Sequence, residues 1–485
     1  MNATDGNGAL REGWARTTLG ALGVYLNGRA FKSTEWSRTG RQIIRIQDLT
    51  GSTHNPNYYQ GEADERHVVR TGDFLISWSA TLGAYIWTGP EAVLNQHIFK
   101  VLSAIDQQFH YHLVRNEIAD LERRAHGSGV VHVTKGVFDS TAVELPPLPE
   151  QRRIAVRLDE IEMASTTVLA HLASARSIVQ RFRTAVLAAA CTGRLTADWR
   201  ENHPEATSEA LLNRLIEMHL PATRRRSGTV NGHGLTSEAQ LALLPDTWSL
   251  VRLGEIIDVG TGATPLRNNR AYYKDGTIRW VTSGAVNAGI IRTPTELITP
   301  RAVAETNVKL FPAGTLLVAM YGEGQTRGRV AELAIEAGTN QAVAAVLFDA
   351  ETAPLQPFVR LFFEDSYQRV RALSIGGVQP NLNLGMIKAT SIPLPPLDEQ
   401  HEIVRRTDTM LATAERLTTQ IEHVESTLER VGRGSLAKAF RGDLVPTEAA
   451  LAEQAGRDFE SAGELLARMQ SATSATPHRR RKVAD

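Results

Sequence analysis

The chain has 485 residues with 42% hydrophobic and 22% charged side chains, a composition that predicts two to four folded domains rather than wholesale disorder. Its 53 basic and 53 acidic residues cancel, so nucleic-acid binding would have to come from local basic patches or be shared with a partner. The only cysteine, Cys191, excludes an internal disulfide and a cysteine-based zinc site, and the absence of an apolar stretch of about 20 residues predicts a cytoplasmic protein without a membrane span.

The first part of the chain, residues 1–148, is predicted to form a mixed α/β domain. RQIIRIQDLT at 41–50 and GDFLIS at 72–77 are short apolar runs bounded by turn residues, which is typical of strands. FHYHLVRNEIADLERRA at 109–125 is predicted to form a helix.

A proline-rich junction ends this domain and begins a long helix, which is predicted over 149–196. The prolines of PPLPEQ prevent an earlier start, and Gly193 is a suitable C-terminal stop. Apolar and small residues alternate four and three apart for more than four heptads, which predicts a coiled-coil seam. The seam positions are Ile154, Leu158, Ile161, Ser165, Val168, Leu172, Ala175, Val179, Phe182 and Val186.

Residues 197–245 are predicted to form a linker that contains one short helix. They lead into a second mixed α/β domain at 246–397, which has predicted strands at 277–284 and 314–320 and a predicted helix that begins at Phe358.

A second long coiled-coil helix is predicted over 398–445, and a short helix with a basic tail over 446–485. Asp398 is a candidate N-cap and Gly442 a candidate stop. The second seam consists of Ile403, Thr407, Met410, Ala414, Leu417, Ile421, Val424, Leu428, Val431 and Ser435.

The two halves of the chain are copies of one unit. LPPLPEQ begins at Leu145 and LPPLDEQ at Leu394, and the offset of 249 (394 − 145) pairs residues without a gap for about seventy positions. Two further patterns recur upstream: W-x4-LG at Trp14 and Trp248, and Asn-Gln at 95–96 and 340–341. The predicted fold is α+β, with two mixed α/β domains at opposite ends of an antiparallel two-helix coiled coil and a pseudo-two-fold axis between the copies.

The sequence has no pattern typical of an active site, a cofactor site or a metal site. It lacks a G-x4-GK-[ST] phosphate loop, and Gly-Thr-Gly at 260–262 and Gly-Glu-Gly at 322–324 lack the third glycine of a dinucleotide-binding turn. His110 and His112 could share a metal, but no third ligand accompanies them, so a solvated helix edge is the favoured interpretation.

These motifs resemble the specificity (S) subunit of type I restriction–modification systems. The resemblance rests on PPLPEQRRI at 146–154 and IPLPPLDEQHEI at 392–403, each of which closes a globular domain and opens a long helix. The recurring W-x4-LG and Asn-Gln patterns and GDLVP at 442–446 add to it, and it covers nearly the whole chain. Arg194 departs from the second copy, which has Asp443, and TEAALAEQAG after GDLVP departs from the expected C-terminal segment.

The resemblance implies two target-recognition domains, each of which reads one half of a bipartite, asymmetric site in double-stranded DNA. The coiled coil would then act as a ruler for the unread spacer. The resemblance also implies two modification (M) subunits, which bind S-adenosylmethionine and methylate adenine, and two restriction (R) subunits, which use ATP and Mg²⁺ to translocate and cut DNA. The chain itself would have no catalytic role. A coiled-coil scaffold without DNA recognition is the alternative.

Candidate DNA contacts are predicted by residue type, because arginine, lysine, asparagine and glutamine read base edges and tyrosine also contacts phosphates. In the first domain they are Lys32, Arg38, Arg41, Asn55, Asn57, Tyr58 and Tyr59. In the second domain they are Arg267, Asn268, Asn269, Arg270, Tyr272, Tyr273, Lys274, Gln325, Arg327 and Arg329.

Overall fold

A computed structural model describes residues 10–52, 55–79, 81–125, 134–219, 235–236, 242–322, 326–373 and 382–474. The chain divides into two compact units. The first consists of Met1–Leu172 and His423–Asp485, and the second of Ala173–Glu422. No helix within the described ranges has the length and apolarity required to cross a membrane.

The described strands of the first unit form two four-stranded sheets and a two-stranded ribbon. They are β1 (Ala15–Thr18), β2 (Gly23–Asn27), β3 (Arg41–Ile44), β4 (Tyr58–Tyr59), β5 (Val68–Val69), β6 (Phe74–Ser77), β7 (Gly83–Ile86), β8 (Ala92–Leu94), β9 (Ile98–Ser103) and β10 (Ala142–Leu145). The sheet orders are β2-β9-β6-β7 and β4-β3-β8-β5. β1 and β10 pair as an antiparallel ribbon, with Ala15 opposite Leu145. Trp14, the residue before β1, therefore lies beside the start of the first long helix.

Three helices accompany these sheets: α1 (Ile46–Leu49), α2 (Gln107–Ala125) and α3 (Lys135–Asp139). The prediction that His110 and His112 lie on a solvated helix edge is wrong, because both histidine side chains are buried where α2 packs against its neighbours. The His110 ring lies 3.0 Å from the Tyr25 hydroxyl and 3.0 Å from the Ser103 hydroxyl, and burial lowers its pKa to about 3. His112 Nε2 lies 2.7 Å from Asp159 Oδ1. These rings therefore join α2 to its neighbours in the core.

The first long helix, α4, spans Leu148–Cys191; its residues up to Leu172 belong to the first unit and those from Ala173 belong to the second. The helices of that unit are α5 (Ala197–Glu201), α6 (Glu209–His219), α7 (Leu253–Ile256), α8 (Pro300–Glu305), α9 (Gln356–Leu373) and α10 (Leu384–Ala389). Its strands are β11 (Ser249–Arg252), β12 (Asp258–Thr261), β13 (Ile278–Val281), β14 (Ile290–Ile291), β15 (Glu296–Ile298), β16 (Leu310–Phe311), β17 (Leu316–Ala319), β18 (Val330–Leu333), β19 (Ala337–Thr339), β20 (Val343–Leu347) and β21 (Ser391–Leu394).

The described strands of the second unit repeat the plan of the first. One sheet has the order β12-β20-β17-β18-β14, a second has the order β15-β13-β19-β16, and β11 pairs with β21 as an antiparallel ribbon. The second long helix, α11, spans Leu397–Phe440 and begins directly after that ribbon. Two short helices follow it, α12 (Glu448–Ala455) and α13 (Ala462–Ser474).

Within each unit the long helices pack in antiparallel fashion. In the first unit, Ile154 and Leu158 near the start of α4 share a core with Ala439 near the end of α11. In the second unit, Leu187 near the end of α4 shares a core with Ile403 near the start of α11. Each helix stops before a glycine in the left-handed conformation, Gly193 or Gly442, and both of these have a φ of +74°.

Beyond the first turns of α11, where Ile403 is buried, burial along its seam follows one of the two alternating sets of positions. One set of α11 recurs every seven residues from Thr407 to Ser435, and most of its members are small. Thr407 and Ala414 of this set are fully buried. The large residues of the other set, Met410, Leu417, Val424 and Val431, are 36%, 44%, 37% and 47% exposed. Small residues allow two helices to approach closely, and a pair of helices can cover only a narrow stripe, so the larger side chains stay outside.

The short helices that follow each long helix complete the domain of the other copy. In the second unit, Leu215 of α6 lies in the core together with Leu253 and Leu394. In the first unit, Leu465 of α13 lies in the core together with Leu19 and Leu145. Each domain thus depends on a segment that is distant from it in the chain.

Candidate nucleic-acid interface

The glutamate of each proline-rich junction holds its domain to the long helix. In the first unit, Glu150 is fully buried, and its carboxylate accepts hydrogen bonds from Trp14 Nε1 at 3.1 Å and from the backbone N–H of Glu448 at 2.8 Å. Burial raises the pKa of this carboxyl and outweighs its hydrogen bonds, which lower the pKa. Glu448 also pairs with Arg153 at 2.7 Å, which fixes the start of α12 against α4. The motif therefore has a structural role in the first unit.

The equivalent glutamate of the second unit, Glu399, has the same role with different partners. Trp248 Nε1 donates to it at 2.8 Å, Thr196 Oγ1 at 2.7 Å and Arg200 Nη1 at 2.5 Å. Arg406, two turns further along α11, forms two hydrogen bonds with Asp198, at 2.6 and 2.9 Å. The recurring tryptophan and glutamate thus hold each domain to its long helix and are buried.

The predicted contacts of the first domain lie on one sheet and its neighbouring loop. Strand β3 pairs with β4, which brings Arg41 opposite Tyr59, while Ser37 exchanges backbone hydrogen bonds with Tyr58 at 2.9 and 3.2 Å. Lys32, Arg38 and Asn55 are exposed, and Arg38 forms no ion pair with any described residue. The structure therefore brings most of this predicted set together on one surface.

Two members of this set also support the fold. Arg41 donates to the backbone oxygen of Gly61 at 2.7 Å. Tyr59 accepts from Arg29 Nη1 at 3.1 Å and donates to the oxygen of Glu62 at 3.0 Å. Their side chains are thus held in place before any ligand arrives, as the contacts of a rigid recognition surface should be.

Arg45 and Trp36 lie near Asn57, although residue type did not predict either as a DNA contact. The Arg45 guanidinium stacks on the Trp36 ring at 4.3 Å from its centroid. Arg45 stands within a sequence that predicts a strand, so nothing in the sequence separated it from ordinary strand arginines. Trp36 is 43% exposed, which is unusual for tryptophan and typical of interfaces.

The structure divides the dense cluster of the second domain into two groups. Arg267 pairs with Glu296 at 2.5 Å and lies over the rings of Tyr273 and Trp280, at 5.1 and 5.2 Å. The Tyr273 hydroxyl donates to the oxygen of Pro265 at 2.6 Å. These residues hold the loop to the sheet.

The other members of that cluster differ in their exposure. Asn268, Arg270 and Lys274 are exposed, and neither cation forms an ion pair within the described part of the chain. Asn269 accepts from the backbone N–H of Ala271 at 3.1 Å, and Tyr272 donates to Glu305 at 3.2 Å. The basic side chains available to phosphates are therefore Arg270 and Lys274.

The last predicted group adjoins the long helices of the second unit. Arg329 donates to the Tyr367 hydroxyl at 3.3 Å and stacks on that ring at 5.3 Å. Arg327 is half-buried, and its Nε has no hydrogen-bond partner among the described residues. Gln325 lies outside the described residues. A search of the described residues found no group of three histidine, cysteine, aspartate or glutamate side chains that could hold a metal ion.

Comparison with known proteins identifies close relatives of this architecture. The model of the type I restriction modification DNA specificity domain matches the chain twice, at residues 11–172 and 245–426. The EcoBI specificity subunit of the type I restriction enzyme from Escherichia coli is 27% identical over 468 residues, which are 90% of this chain and 87% of that protein. The EcoDI specificity subunit from Escherichia coli is 25% identical over 349 residues, which are 70% of each protein.

A solved structure shares the fold. A chain described under "Structural basis underlying complex assembly and conformational transition of the type I R-M system" aligns over 90% of this chain and 100% of its own length, with a TM-score of 0.63 and 19% identity. The predicted α+β class, with two mixed domains and two long helices, is thereby confirmed.

Proposed function

Because the chain belongs to the type I restriction–modification DNA specificity family, we propose that it is the subunit that selects the DNA site for a methyltransferase and nuclease complex. Each domain reads one half of a bipartite, asymmetric site in double-stranded DNA. Two M subunits supply S-adenosylmethionine and methylate adenine, and two R subunits use ATP and Mg²⁺ to translocate and cut. The chain has no catalytic role of its own and acts in the cytoplasm.

The observation that carries this proposal is the double match of the family model, one copy for each target domain with its adjoining helix. The arrangement of side chains supports it. Lys32 and Arg38 in the first domain, and Arg270 and Lys274 in the second, are exposed cations on loops beside aromatic side chains. Such cations supply the phosphate contacts that position a protein on a duplex. The two surfaces differ in sequence, which suits an asymmetric site.

The sequence-dependent binding of the full chain, co-expressed with its M subunits, tests this function. We expect the complex to bind one duplex sequence at least about 1,000-fold more tightly than unrelated DNA at physiological salt. Mapping the methylated adenines of the host genome supplies the site, and duplexes altered in either half measure the contribution of each domain. Equal affinity for all sequences would contradict the proposal and favour a scaffold.

The exposed apolar residues of α11 support the docking of M subunits on the long helices. Met410, Leu417, Val424 and Val431 recur every seven residues, as do the contacts of a coiled-coil partner. Soluble surfaces rarely keep such a row of large apolar side chains uncovered. We therefore place an apolar helical surface of the M subunit on this row.

Changing Leu417 and Val431 to aspartate should abolish co-purification of M subunits with the chain, because each carboxylate would be buried against an apolar partner. The chain itself should keep its helical circular dichroism signal and its unfolding midpoint, because both positions are already exposed. Thr419→Asp, an exposed position on the same helix outside this row, is the matched control. Retention of M by the double variant would rule out this docking surface.

A further inference from the structure

An open pocket of about 410 Å³ lies beside the predicted DNA contacts of the first domain. Its walls come from Trp36, from the segment of α1 with the residues around it, and from the turn that carries the recurring Asn-Gln pattern at 95–96. Among its described lining residues none is acidic, and most have side chains that form hydrogen bonds. A pocket of this composition is suited to a polar ligand that lacks a positive charge.

The backbone around this pocket is held from several sides. The N–H of Asn95 donates to the oxygen of Ile44 at 3.1 Å, the N–H of Gln96 donates to Arg29 at 2.9 Å, and the N–H of Trp78 donates to His97 at 3.2 Å. His97 has a φ of +75°, a left-handed conformation that side chains other than glycine rarely adopt. Such conformations persist only where the surrounding structure enforces them, and they cluster at ligand sites.

Two glutamine side chains in the pocket are not used by the fold. Gln47 and Gln96 are exposed, and neither side-chain amide forms a hydrogen bond with a described residue. The equivalent of Gln96 in the second domain behaves differently, because Gln341 Oε1 accepts from Thr264 Oγ1 at 2.7 Å. The side-chain amide of the recurring glutamine thus has a hydrogen-bond partner in the second domain and none among the described residues in the first.

We propose that Gln47 and Gln96 each read one adenine in the half-site bound by the first domain, beside the wall that Arg45 and Trp36 form. This inference rests on the proposed function and assigns the chemistry of one of its contacts. A glutamine amide offers one donor and one acceptor side by side, which matches N7 and N6 of adenine in the major groove. The backbone of Gln47 lies in α1 and that of Gln96 in the constrained turn, so each side chain starts from a fixed position, as direct base recognition requires.

The test compares Gln47→Ala, Gln96→Ala and the corresponding glutamate variants in the full chain co-expressed with its M subunits. Selection from duplexes randomised over one half-site at fixed salt measures the base preference at each position. Each alanine variant should lose about 10- to 100-fold of the preference for adenine at one position of one half-site. A glutamate accepts from N4 of cytosine, so at least one glutamate variant should move the preference at that position from adenine to cytosine.

Several results separate the possible outcomes. Gln420→Ala, an exposed glutamine on α11, is the matched control and should leave every position unchanged. An equal loss of affinity for all sequences would indicate phosphate contacts and overturn the assignment, as would unchanged base preferences in all the variants. If the unaltered complex itself shows no sequence preference, the proposed function fails rather than this assignment alone.

Discussion

Replacing Glu399 with alanine should lower the free energy of unfolding of the second unit by about 3–5 kcal/mol, the largest stability loss that we expect from a single substitution. The carboxylate is fully buried and accepts from Trp248, Thr196 and Arg200. Its removal leaves the buried donors of Trp248 and Thr196 without this acceptor and leaves the Arg200 guanidinium, which is 17% exposed, without its counter-ion. Urea unfolding of the full chain, followed by circular dichroism, measures the change.

Two companion variants isolate the cause. Glu415→Ala removes an exposed carboxylate from the same helix and should change the stability by less than about 0.5 kcal/mol. Glu399→Gln keeps the volume and one acceptor but removes the charge, so it should fall between the two. A Glu399→Ala variant as stable as Glu415→Ala would show that the buried hydrogen bonds do not hold the helix to the domain.

The repeat made much of this fold predictable from sequence. LPPLPEQ and LPPLDEQ recur at a fixed offset, which revealed two copies, two long helices and the glycines that end them. Such features depend on local chemistry: proline blocks a helix from starting earlier, and glycine at positive φ stops it. Local signals of this kind are legible in a single chain.

Contacts between distant segments were not predictable in the same way. Glu150 receives the backbone N–H of Glu448, which lies 298 residues further along the chain. The equivalent position in the second unit uses Arg200 instead, so the repeat alone could not have indicated either partner. The seam shows the same limit, because heptad spacing predicted two buried sets, yet most of one set of α11 is exposed. Which set stays exposed depends on the packing partner.

Residue type also could not separate a cation that binds a ligand from one that holds a loop. Arg267 and Arg270 lie three residues apart in one cluster, yet Arg267 is paired with Glu296 and stacked on two aromatic rings, whereas Arg270 forms no ion pair with a described residue. The difference comes from β15, which supplies Glu296 opposite the loop. Their expected phenotypes therefore differ.

The double change of Arg270 and Lys274 to alanine should weaken binding to the half-site of the second domain by about tenfold or more and leave the first half-site unaffected. Both side chains are exposed and without an ion-pair partner among the described residues, so their loss should not destabilise the domain. If both contact phosphates, the slope of log affinity against log salt should fall by about 2, because each contact releases roughly one counterion. Duplexes altered in one half-site, titrated with the complete methyltransferase complex at several salt concentrations, measure both effects.

Arg267→Ala is the informative comparison because it removes a nearby positive charge that the fold of the domain uses. It removes the Glu296 ion pair and two aromatic contacts, so it should lower the unfolding midpoint of the second unit, and any loss of DNA affinity should follow that instability. Arg416→Ala removes an exposed cation from α11 and controls for net charge. If Arg270 and Lys274 contribute equally at both half-sites, or not at all, this loop does not contact DNA. A loss of affinity by the Arg270 and Lys274 double variant that is confined to one half-site, with the unfolding midpoint unchanged, would show that this loop contacts the duplex.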